Sequence, residues 1–406
     1  MRIAYTAEQE ELRRELRSYF SDLMTPERRA ALTGGDGEIG EGDAYRDVVR
    51  QMGADGWLAL GWPTEFGGAN RSMMDQLIFT DEAAIAGAPV PFLTINSVAP
   101  TIMHYGTPEQ KEFFLPKIAA GELHFSIGYS EPGAGTDLAS LRTTAVRDGD
   151  EYVINGQKMW TSLIPYADYV WLACRTDSGA DANADSESGK RPSKHKSISM
   201  LVVPTAAQGF SYTPVHTMSG VDTSATYYQD VRVPTSSIVG EEGGGWSLIT
   251  NQLNHERVAL CSAAPIQTAL NETLAFARQQ PYGGGKLIDV SWVQSNLARV
   301  HAKVEFLKLV NWKIASIAAQ GGSPSPADAS ATKVFGTEFA TEAYRLLMEV
   351  TGPAATLRQG SVGAHLQGRL ERFARTSLIL TFGGGTNEIQ RDIIGMLALG
   401  LPPARR

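Results

Sequence analysis

Apolar residues recur at intervals of three and four positions through the first third of the chain, within sequence that is otherwise charged or polar. In residues 6–31 the recurring positions are Leu12, Leu16, Tyr19, Phe20 and Leu23. This spacing puts apolar side chains on one face and predicts an amphipathic surface helix. Thr6, with Gln9 three residues later, matches the capping box that begins many helices. Further helices are predicted over 45–55, 73–86 and 106–122, where Thr107 caps and Pro108 begins the last, so residues 1–122 are expected to form a helical domain.

The pattern changes between residues 123 and 240 to short runs rich in β-branched residues and bounded by Gly, Asp and Pro. Such runs are typical of strands. They occupy 152–154, 169–174, 198–203 and 227–233. A small barrel-like β-domain is therefore expected here, and the polar stretch 176–196 is predicted to be a flexible surface insertion. Asn155-Gly156 has the residue types of a two-residue hairpin turn, with a strand expected after it.

Helical periodicity returns after residue 240 and continues to the end of the chain. Long helices are predicted over 246–280, 290–320, 330–351 and 361–381. Pro265 should kink or split the first of them, because proline removes a helical hydrogen bond and clashes with the preceding turn. Short connections between long helices favour an antiparallel four-helix bundle, here over residues 241–406. The expected fold class is therefore α+β, mostly α, in three domains.

Bulk composition limits the kinds of partner. The chain has 406 residues and is 43% hydrophobic, which is enough to fill two or three cores. A net charge of −8 and an isoelectric point near 5.5 argue against nucleic acid or an anionic membrane as the main partner. No apolar run has the length of a membrane span or of a signal peptide. Cys174 and Cys261 are too few for a disulfide framework and fit buried positions in a cytoplasmic protein, and the seven histidines show no metal-ligand spacing.

Residues 125–137 read Phe-Ser-Ile-Gly-Tyr-Ser-Glu-Pro-Gly-Ala-Gly-Thr-Asp and combine a strand with a loop suited to a cofactor. Glycine at 133 and at 135 lets main-chain N–H groups approach a ligand where a Cβ would clash, and Ser130 and Thr136 can donate to its oxygen atoms. Taken alone, the segment fits an ordinary turn after a strand equally well. A second stretch follows at 154–162, Ile-Asn-Gly-Gln-Lys-Met-Trp-Thr-Ser, with an aromatic residue and two hydroxyls.

Together the two stretches resemble the acyl-CoA dehydrogenase flavoproteins, whose middle domain has a Thr/Ser-Glu-Pro-x-Ala-Gly-Ser/Thr-Asp loop and a Gly-x-Lys-x-Trp-x-Thr/Ser strand. Residues 56–68, 106–122 and 382–394 also resemble family segments. The resemblance implies the family's three-domain fold, FAD as cofactor and an acyl-CoA substrate. It places Trp160 against the flavin ring and Ser162 at flavin N5. The cofactor-binding residues that it implies are Tyr129, Ser130, Gly135, Thr136, Trp160, Ser162, Thr386 and Glu388.

The reaction of this family removes a proton from Cα of the thioester and a hydride from Cβ, so it needs a base. Many members carry a Glu immediately before the C-terminal Gly-Thr, and the matching residue here is Gly384. Long-chain and isovaleryl-type members carry the base in a Glu-Arg pair on the first bundle helix, which matches Glu256-Arg257. Glu256 is therefore the predicted base and Arg257 its electrostatic neighbour, although a Glu-Arg pair taken alone would more often lie on a solvated helix face. The implied substrate contacts are Thr136, Arg257, Gly384 and Gly385.

Two further departures from the family pattern concern the outer half of FAD. Family homotetramers hold the flavin diphosphate of a neighbouring subunit with an Arg-x-x-Phe-Gly motif, and here Gln279 replaces the Arg, with Arg278 adjacent. Their Gln-x-x-Gly-Gly-x-Gly adenosine loop corresponds to residues 349–355, which read Glu-Val-Thr-Gly-Pro-Ala-Ala. This pattern is similar to the actinobacterial heteromeric acyl-CoA dehydrogenases of steroid side-chain degradation. It implies an unlike second subunit, an α2β2 assembly with two flavins, and a bulky steroid side-chain acyl-CoA as substrate.

Other interpretations stay open on the sequence alone. A homotetrameric fatty or branched-chain acyl-CoA dehydrogenase would use Arg278 or other donors for the diphosphate. Flavin monooxygenases and nitroalkane oxidases share the architecture, so the fold does not exclude them. A catalytically silent scaffold subunit would need no carboxylate at position 256. For any dehydrogenase of this kind, the resemblance implies an electron acceptor such as electron-transfer flavoprotein.

Overall fold

The structure, a computed structural model, describes residues 4–33, 42–176, 194–220, 222–259, 261–322 and 325–402. For residues 253–259 and Gln367 the description is confined to the backbone, and most of the predicted insertion at 176–196 lies outside the described residues. Both cysteines are buried free thiols, as predicted. In the described ranges, no helix is long and apolar enough to cross a membrane, and no group of three or more His, Cys, Asp or Glu side chains is arranged to hold a metal ion.

The N-terminal part is helical. Its helices are α1 (Ala7–Leu23), α2 (Pro26–Thr33), α3 (Asp43–Ala54), α4 (Met73–Ala86), α5 (Ala99–Tyr105) and α6 (Pro108–Ala119). A π-helical turn, Thr94–Val98, precedes α5. The single helix predicted over 6–31 is in fact two helices, because Pro26 disfavours helical backbone at the residue before it and begins α2 instead.

Side-chain caps begin α1, α4 and α6, and those of α1 and α6 were predicted from sequence. The Thr6 hydroxyl accepts the Gln9 N–H at 3.2 Å, and the Gln9 side chain accepts the Thr6 N–H at 2.9 Å. Thr107 and Gln110 make the same reciprocal pair at 3.3 and 3.1 Å. Pro108 follows as the first helical residue, where its missing N–H costs nothing.

A single mixed sheet forms the middle part. Its strands are β1 (Phe125–Gly128), β2 (Thr144–Asp148), β3 (Glu151–Lys158), β4 (Tyr169–Arg175), β5 (Ile198–Pro204), β6 (Phe210–His216), β7 (Asp222–Pro234) and β8 (Ile238–Val239). Hydrogen-bonded neighbours run β6-β7-β3-β2-β4-β5-β8, and β1 pairs with β4 in parallel. All four predicted runs lie within strands. Alternation along β4 puts Val170 and Leu172 in the core of one face and Trp171 and Ala173 in the core of the other.

The hairpin predicted at Asn155-Gly156 is wrong. Both residues lie inside β3, and the turn before this strand is at residues 149–150. Pairing with β7 shifts register at this point, which makes a β-bulge. The Asn155 side chain donates to the Asp230 carboxylate at 2.9 Å and accepts the Asp230 N–H at 3.0 Å, across the bulge. A Cβ at Gly156 would lie 2.5 Å from Thr143 Oγ1, so close packing rather than a turn requires this glycine.

The C-terminal part consists of helices joined mostly by short turns. Its elements are α7 (Gly245–Ala259), α8 (Ala264–Gln279), β9 (Pro281–Tyr282), β10 (Gly285–Lys286), α9 (Ser291–Ala319), α10 (Pro326–Thr351), α11 (Arg369–Leu380) and α12 (Asn387–Ala398). The first predicted helix is split as expected, since Pro265 lies in the first turn of α8. The helix predicted over 361–381 is shorter, because left-handed glycines at 360, 363 and 368 hold the chain in turns before α11.

Helix α7 is the element at which the three parts of the chain meet. Leu248 belongs to the core that the N-terminal helices share with one face of the sheet. Just beyond the helix, the Cys261 carbonyl accepts Asn311 Nδ2 of α9 at 2.9 Å. Ser262 Oγ then donates to Asp81 of α4 at 2.7 Å, and burial raises the pKa of Asp81 to about 6. The chain is therefore anchored to two other helices directly after α7.

Candidate active site

The loop after β1 is closed by its own main chain. The Glu131 N–H donates to the Ala134 carbonyl, and the Ala134 N–H donates to the Glu131 carbonyl, both at 3.0 Å. Glu131 and Ala134 are buried, whereas Gly133, Gly135 and Thr136 are exposed. The residues between β1 and Thr136 therefore form a tight turn with an exposed outer rim.

Packing among the described residues does not require Gly133 or Gly135. Neither has a left-handed φ, and a Cβ at either position would find no heavy atom of the described residues within 4 Å. Among the glycines of the described residues, only these two combine both properties. No described residue fills the space beside them, as a ligand that approaches main-chain atoms requires.

Behind the loop lies a buried ion pair. Lys158 Nζ donates to Glu131 Oε1 at 2.9 Å and to the Tyr129 carbonyl at 3.0 Å. The Glu131 carboxylate also accepts the Arg142 N–H, the Thr143 N–H and the Thr143 hydroxyl at 2.7, 2.8 and 2.7 Å. Burial alone would raise the pKa of Glu131, but Lys158 and these donors outweigh burial and hold it below its usual range. The pair joins the glycine loop to the end of β3.

Beyond Lys158 the chain leaves the sheet in a strained backbone conformation. Trp160 has a φ of 67° and Leu163 a φ of 63°, values that are costly for residues with a Cβ. Between them Thr161 is fully buried, and its N–H donates to the Ser224 carbonyl of β7 at 2.9 Å. The Trp160 side chain, by contrast, is 57% exposed. The predicted strand over these residues is therefore a loop, and it presents a large aromatic ring to solvent.

Hydrogen bonds hold this segment beside the glycine loop. The Met159 N–H donates to the Ser130 carbonyl at 2.8 Å. The Ser162 carbonyl accepts the Ser126 hydroxyl of β1 at 2.8 Å, and the Ser162 hydroxyl donates to Thr223 Oγ1 at 3.1 Å. The structure thus brings the two motif stretches together. The role predicted for Ser162 at flavin N5 stays a prediction, and its hydroxyl has a protein partner in this arrangement.

A hydrogen-bond cluster connects the same loop to α7. The Tyr129 hydroxyl donates to Gln252 Oε1 at 2.5 Å, and Trp171 Nε1 donates to the same oxygen at 3.0 Å. The Tyr129 hydroxyl is therefore used inside the protein, as is its carbonyl, which accepts Lys158 Nζ, and the cofactor contact predicted for Tyr129 stays a prediction. Gln252 is 1% exposed, and its Nε2 has no hydrogen-bond partner among the described residues. The side chains of Glu256 and Arg257 lie outside the described residues, but position 256 follows Gln252 by one helical turn, on the same side of α7.

The glycines before α12 form a second loop with main-chain donors. Gly384 and Gly385 have left-handed φ values of 65° and 93°. The Gly385 carbonyl accepts Lys333 Nζ of α10 at 2.9 Å, and Gln390 Nε2 lies 3.4 Å from the same oxygen. A trans peptide points its N–H opposite to its carbonyl, so the Thr386 N–H faces away from Lys333. Lys333 is fully buried and fixes this orientation.

The remaining predicted residues lie at helix ends or on the exposed part of the first glycine loop. The Thr386 hydroxyl caps α12 by accepting the Ile389 N–H at 3.3 Å. Glu388 in the first turn of α12 and Thr136 in the first glycine loop are exposed. Arg278 lies in the last turn of α8 and Gln279 is its final residue.

Helix α11 leads into the second glycine loop and also contacts the part of the sheet that lies next to the Trp160 segment. Arg375 Nη1 donates to the Met218 carbonyl at 2.9 Å, in the connection between β6 and β7. Strand β7 in turn supplies Thr223 and Ser224, the partners of the Trp160 segment. The described contacts therefore link both loops through β7.

Models of the three domains of one enzyme family match this chain. The N-terminal domain of acyl-CoA dehydrogenases matches residues 6–122, the middle domain residues 126–231 and the C-terminal domain residues 243–399. The chain belongs to the acyl-CoA dehydrogenase family. The expected family and the three-part fold are confirmed, and the chain is an acyl-CoA dehydrogenase by family, whose members use FAD.

Individual members of the family are similar over their whole length. The acyl-CoA dehydrogenase FadE26 of Mycobacterium tuberculosis is 71% identical and FadE29 of the same organism 44% identical, each with all of both chains covered. Among solved structures, a chain of the ChsE4-ChsE5 complex from Mycobacterium tuberculosis is 71% identical with a TM-score of 0.90. A chain of the Tcur3481-Tcur3483 steroid acyl-CoA dehydrogenase is 46% identical, also with a TM-score of 0.90. Both structural matches cover all of both chains.

Sequence reasoning missed three residues that shape this acyl-CoA dehydrogenase site. Glu131 and Lys158 lie in the two motifs, but nothing local indicates that they form one buried pair. A Lys in one motif and a Glu in the other were the available signal. Gln252 gave no signal, because its partners are more than 80 residues away in sequence.

We expect Gly135→Ala to weaken FAD binding without destabilising the protein. A methyl group in an occupied, close-packed space costs about 1–3 kcal/mol, so the FAD dissociation constant should rise by about fivefold or more. Without FAD the same methyl meets open space, and the melting temperature should not fall. FAD titration and thermal melting of the flavin-free protein measure the two effects.

The matched control for this test is Gly61→Ala, where the added Cβ makes an ordinary 3.4 Å contact with Met73 Sδ far from the loop in sequence. This control should bind FAD like the unmodified chain. Unchanged FAD affinity in Gly135→Ala would show that the open loop does not receive the cofactor.

Proposed function

We propose that this chain carries out the FAD-dependent α,β-dehydrogenation of an acyl-CoA thioester to the trans-2-enoyl-CoA. The observation that carries the proposal is the open glycine loop at 133–135 beside the exposed Trp160 ring, in a chain of this family. An exposed aromatic face suits stacking with a flat ring system, and free main-chain N–H groups suit its polar edge.

The residues present fit FAD. Ser130, Gly135 and Thr136 would approach it from the glycine loop, and Trp160 would pack against the flavin ring. When bound, FAD supplies the acceptor for the hydride that leaves the substrate Cβ. The further proposed contacts are Tyr129, Ser162, Thr386 and Glu388. An electron-transfer flavoprotein is the proposed acceptor for the electrons.

Glu256 is the proposed base that takes the α-proton. A proton beside a thioester is too weakly acidic for an unassisted carboxylate, so the site must exclude water around the base and stabilise negative charge on the carbonyl. Support comes from α7, which is packed into the core at Leu248 and held to the glycine loop by the buried Gln252. Position 256 is one turn further along the same side of this helix. Arg257 is proposed to act on the base electrostatically, as its positively charged neighbour.

Gly384 and Gly385, together with the N–H of Thr386 that follows them, are the proposed partners of the substrate carbonyl. Lys333 holds the Gly385 carbonyl on the inner side of the loop, which leaves the opposite N–H of the Gly385-Thr386 peptide for a ligand. A main-chain donor placed before the reaction stabilises developing charge without reorganisation. Thr136 is the further proposed contact to the substrate, at the CoA end.

We expect Glu256→Gln to lower the rate of flavin reduction by about 10²–10⁴-fold, because a general base contributes this much. The absorbance spectrum of bound FAD should be unchanged, since Glu256 acts on the substrate. Stopped-flow mixing with an acyl-CoA under anaerobic conditions measures the rate.

The control for the base is Glu272→Gln, the same chemical change on the neighbouring helix α8, where the carboxylate pairs with Arg369 at 2.7 Å. This variant should reduce its flavin at the rate of the unmodified enzyme. A Glu256→Gln enzyme that keeps more than about a tenth of the rate would exclude Glu256 as the base.

The proposed assembly is an α2β2 heterotetramer with an unlike acyl-CoA dehydrogenase subunit and two FAD molecules. The names of two similar structures describe complexes of two different proteins. In this chain, Gln279 stands where family homotetramers carry a diphosphate-binding Arg. Helices α11 and α12 and the residues after them also expose large apolar side chains, which is typical of interfaces. They are Leu378, Phe382, Leu397, Leu399 and Leu401.

We expect the chain purified alone to contain much less than one FAD per chain, because an ammonium or guanidinium donor to the diphosphate is missing. Co-expression with an unlike acyl-CoA dehydrogenase subunit that pairs with it should give α2β2 particles with one FAD per two chains. Native mass spectrometry and flavin absorbance measure both quantities. Stoichiometric FAD in a homotetramer of this chain would favour the homotetrameric interpretation instead.

The proposed substrate is a bulky polycyclic acyl-CoA of the steroid side-chain class. One similar structure is named as a steroid acyl-CoA dehydrogenase. A base on the first bundle helix is also compatible with bulky or α-branched acyl chains. In an assembly with two flavins for four chains, the positions that no longer hold cofactor leave room for a wider substrate pocket. A larger apolar substrate then gains about 25 cal/mol of binding free energy for each Å² that it buries.

We expect kcat/KM to be higher for the CoA thioester of a steroid side chain than for butanoyl-CoA or octanoyl-CoA, because the larger apolar group buries more surface. The assay uses the co-purified complex with ferrocenium as electron acceptor. A clear preference for octanoyl-CoA would assign the enzyme to fatty-acid oxidation.

A further inference from the structure

The Glu131–Lys158 pair lies directly behind the main chain of the proposed FAD loop. Lys158 Nζ donates to the Tyr129 carbonyl. The residues that follow these two are also joined, because the Met159 N–H donates to the Ser130 carbonyl. Trp160, the proposed flavin contact, follows Lys158 by two residues. The charged groups are therefore separated from the loop surface by little more than one peptide.

Both charged side chains are also buried. The Lys158 side chain is fully buried, and that of Glu131 is 8% exposed. Charges in a buried site are screened far less than charges in water, so an imbalance between them would act on a neighbouring group over several ångströms. In the intact pair the two charges cancel.

The two partners differ in what would happen if one were removed. Without Lys158, the Glu131 carboxylate would still have three donors, from the Arg142 and Thr143 N–H groups and the Thr143 hydroxyl. A carboxylate with this many donors stays ionised. Without Glu131, the ammonium would keep the Tyr129 carbonyl as a partner in a buried site, where burial already lowers the pKa of Lys158. Loss of the carboxylate lowers this pKa further and favours the neutral amine.

We infer that Lys158 is a positioning residue that sets the reduction potential of the bound flavin, because it cancels the charge of Glu131 and polarises the Tyr129-Ser130 peptide behind the cofactor. A reduced flavin carries more negative charge than an oxidised one. An uncompensated carboxylate behind the loop therefore makes reduction harder, whereas the neutral pair does not. This inference rests on the proposed binding of FAD.

The test compares Lys158→Gln with the double variant Glu131→Gln/Lys158→Gln. Both have an amide at position 158 and differ only in the charge at position 131. The flavin of each FAD-containing protein, together with its partner subunit if one co-purifies, is equilibrated anaerobically with a reference dye of known potential. The measured quantity is the ratio of reduced to oxidised flavin at a fixed dye potential.

We expect this ratio to fall at least tenfold in Lys158→Gln and to return to within about threefold of the unmodified protein in the double variant. Glu131→Gln alone should also stay within about threefold, because loss of the carboxylate favours the neutral form of the buried lysine. Lys158→Met leaves the same unpaired carboxylate and has no amide at position 158. It should give the same ratio as Lys158→Gln, so the comparison can still be made if one of the two variants does not fold.

Equal ratios in the single and double variants would overturn the inference and leave the pair with a structural role only. That result is distinct from failure of the proposed function, in which the unmodified protein and its complex would contain no FAD.

Discussion

Glu131 and Lys158 leave water together when this chain folds, and most of the site geometry follows from that requirement. The cost of desolvating two charges is offset only if each charge has good partners. The carboxylate therefore also accepts hydrogen bonds from two main-chain N–H groups and a hydroxyl. These bonds draw residues 142–143, the end of β3 and the loop after β1 to a single point. The exposed side of that loop is then free to present Gly133 and Gly135, and the segment after β3 presents Trp160 beside it. None of the three contributes to the buried network.

A second constraint sets where the proposed base can lie. Gln252 accepts hydrogen bonds from Tyr129 and Trp171 with one oxygen, inside a core shared by the sheet and the N-terminal helices. This arrangement fixes the rotation of α7 about its own axis at the turn before Glu256. The anchors just after α7, at Cys261 and Ser262, fix its far end. A base on this helix would be held at a constant distance from the cofactor loop, as proton and hydride removal from adjacent carbons requires.

Features that depend on neighbouring residues could be predicted from the sequence, and features that depend on distant contacts could not. The caps at Thr6 and Thr107 and the helix break at Pro265 are local and are confirmed. The hairpin prediction at Asn155-Gly156 was wrong because the same residue types suit both a hairpin turn and a bulge. The hydrogen bond between Asn155 and Asp230, which is distant in sequence, decides between them. The burial of Lys158 was not predictable from composition, since lysine is rarely buried without a partner and its partner is 27 residues away. The proposed roles of Glu256 and the two glycine loops came from resemblance to a family rather than from periodicity or charge.

The most direct test of the account follows the two hydrogens that the proposed reaction removes. An acyl-CoA deuterated at Cα and Cβ is mixed anaerobically with the FAD-containing complex, and flavin absorbance and product mass are recorded. The account predicts that the flavin bleaches, that deuteration slows the bleaching, and that the product is the enoyl-CoA lacking one deuterium from each carbon. Bleaching without loss of deuterium from Cα, or a product that has gained oxygen, would contradict it.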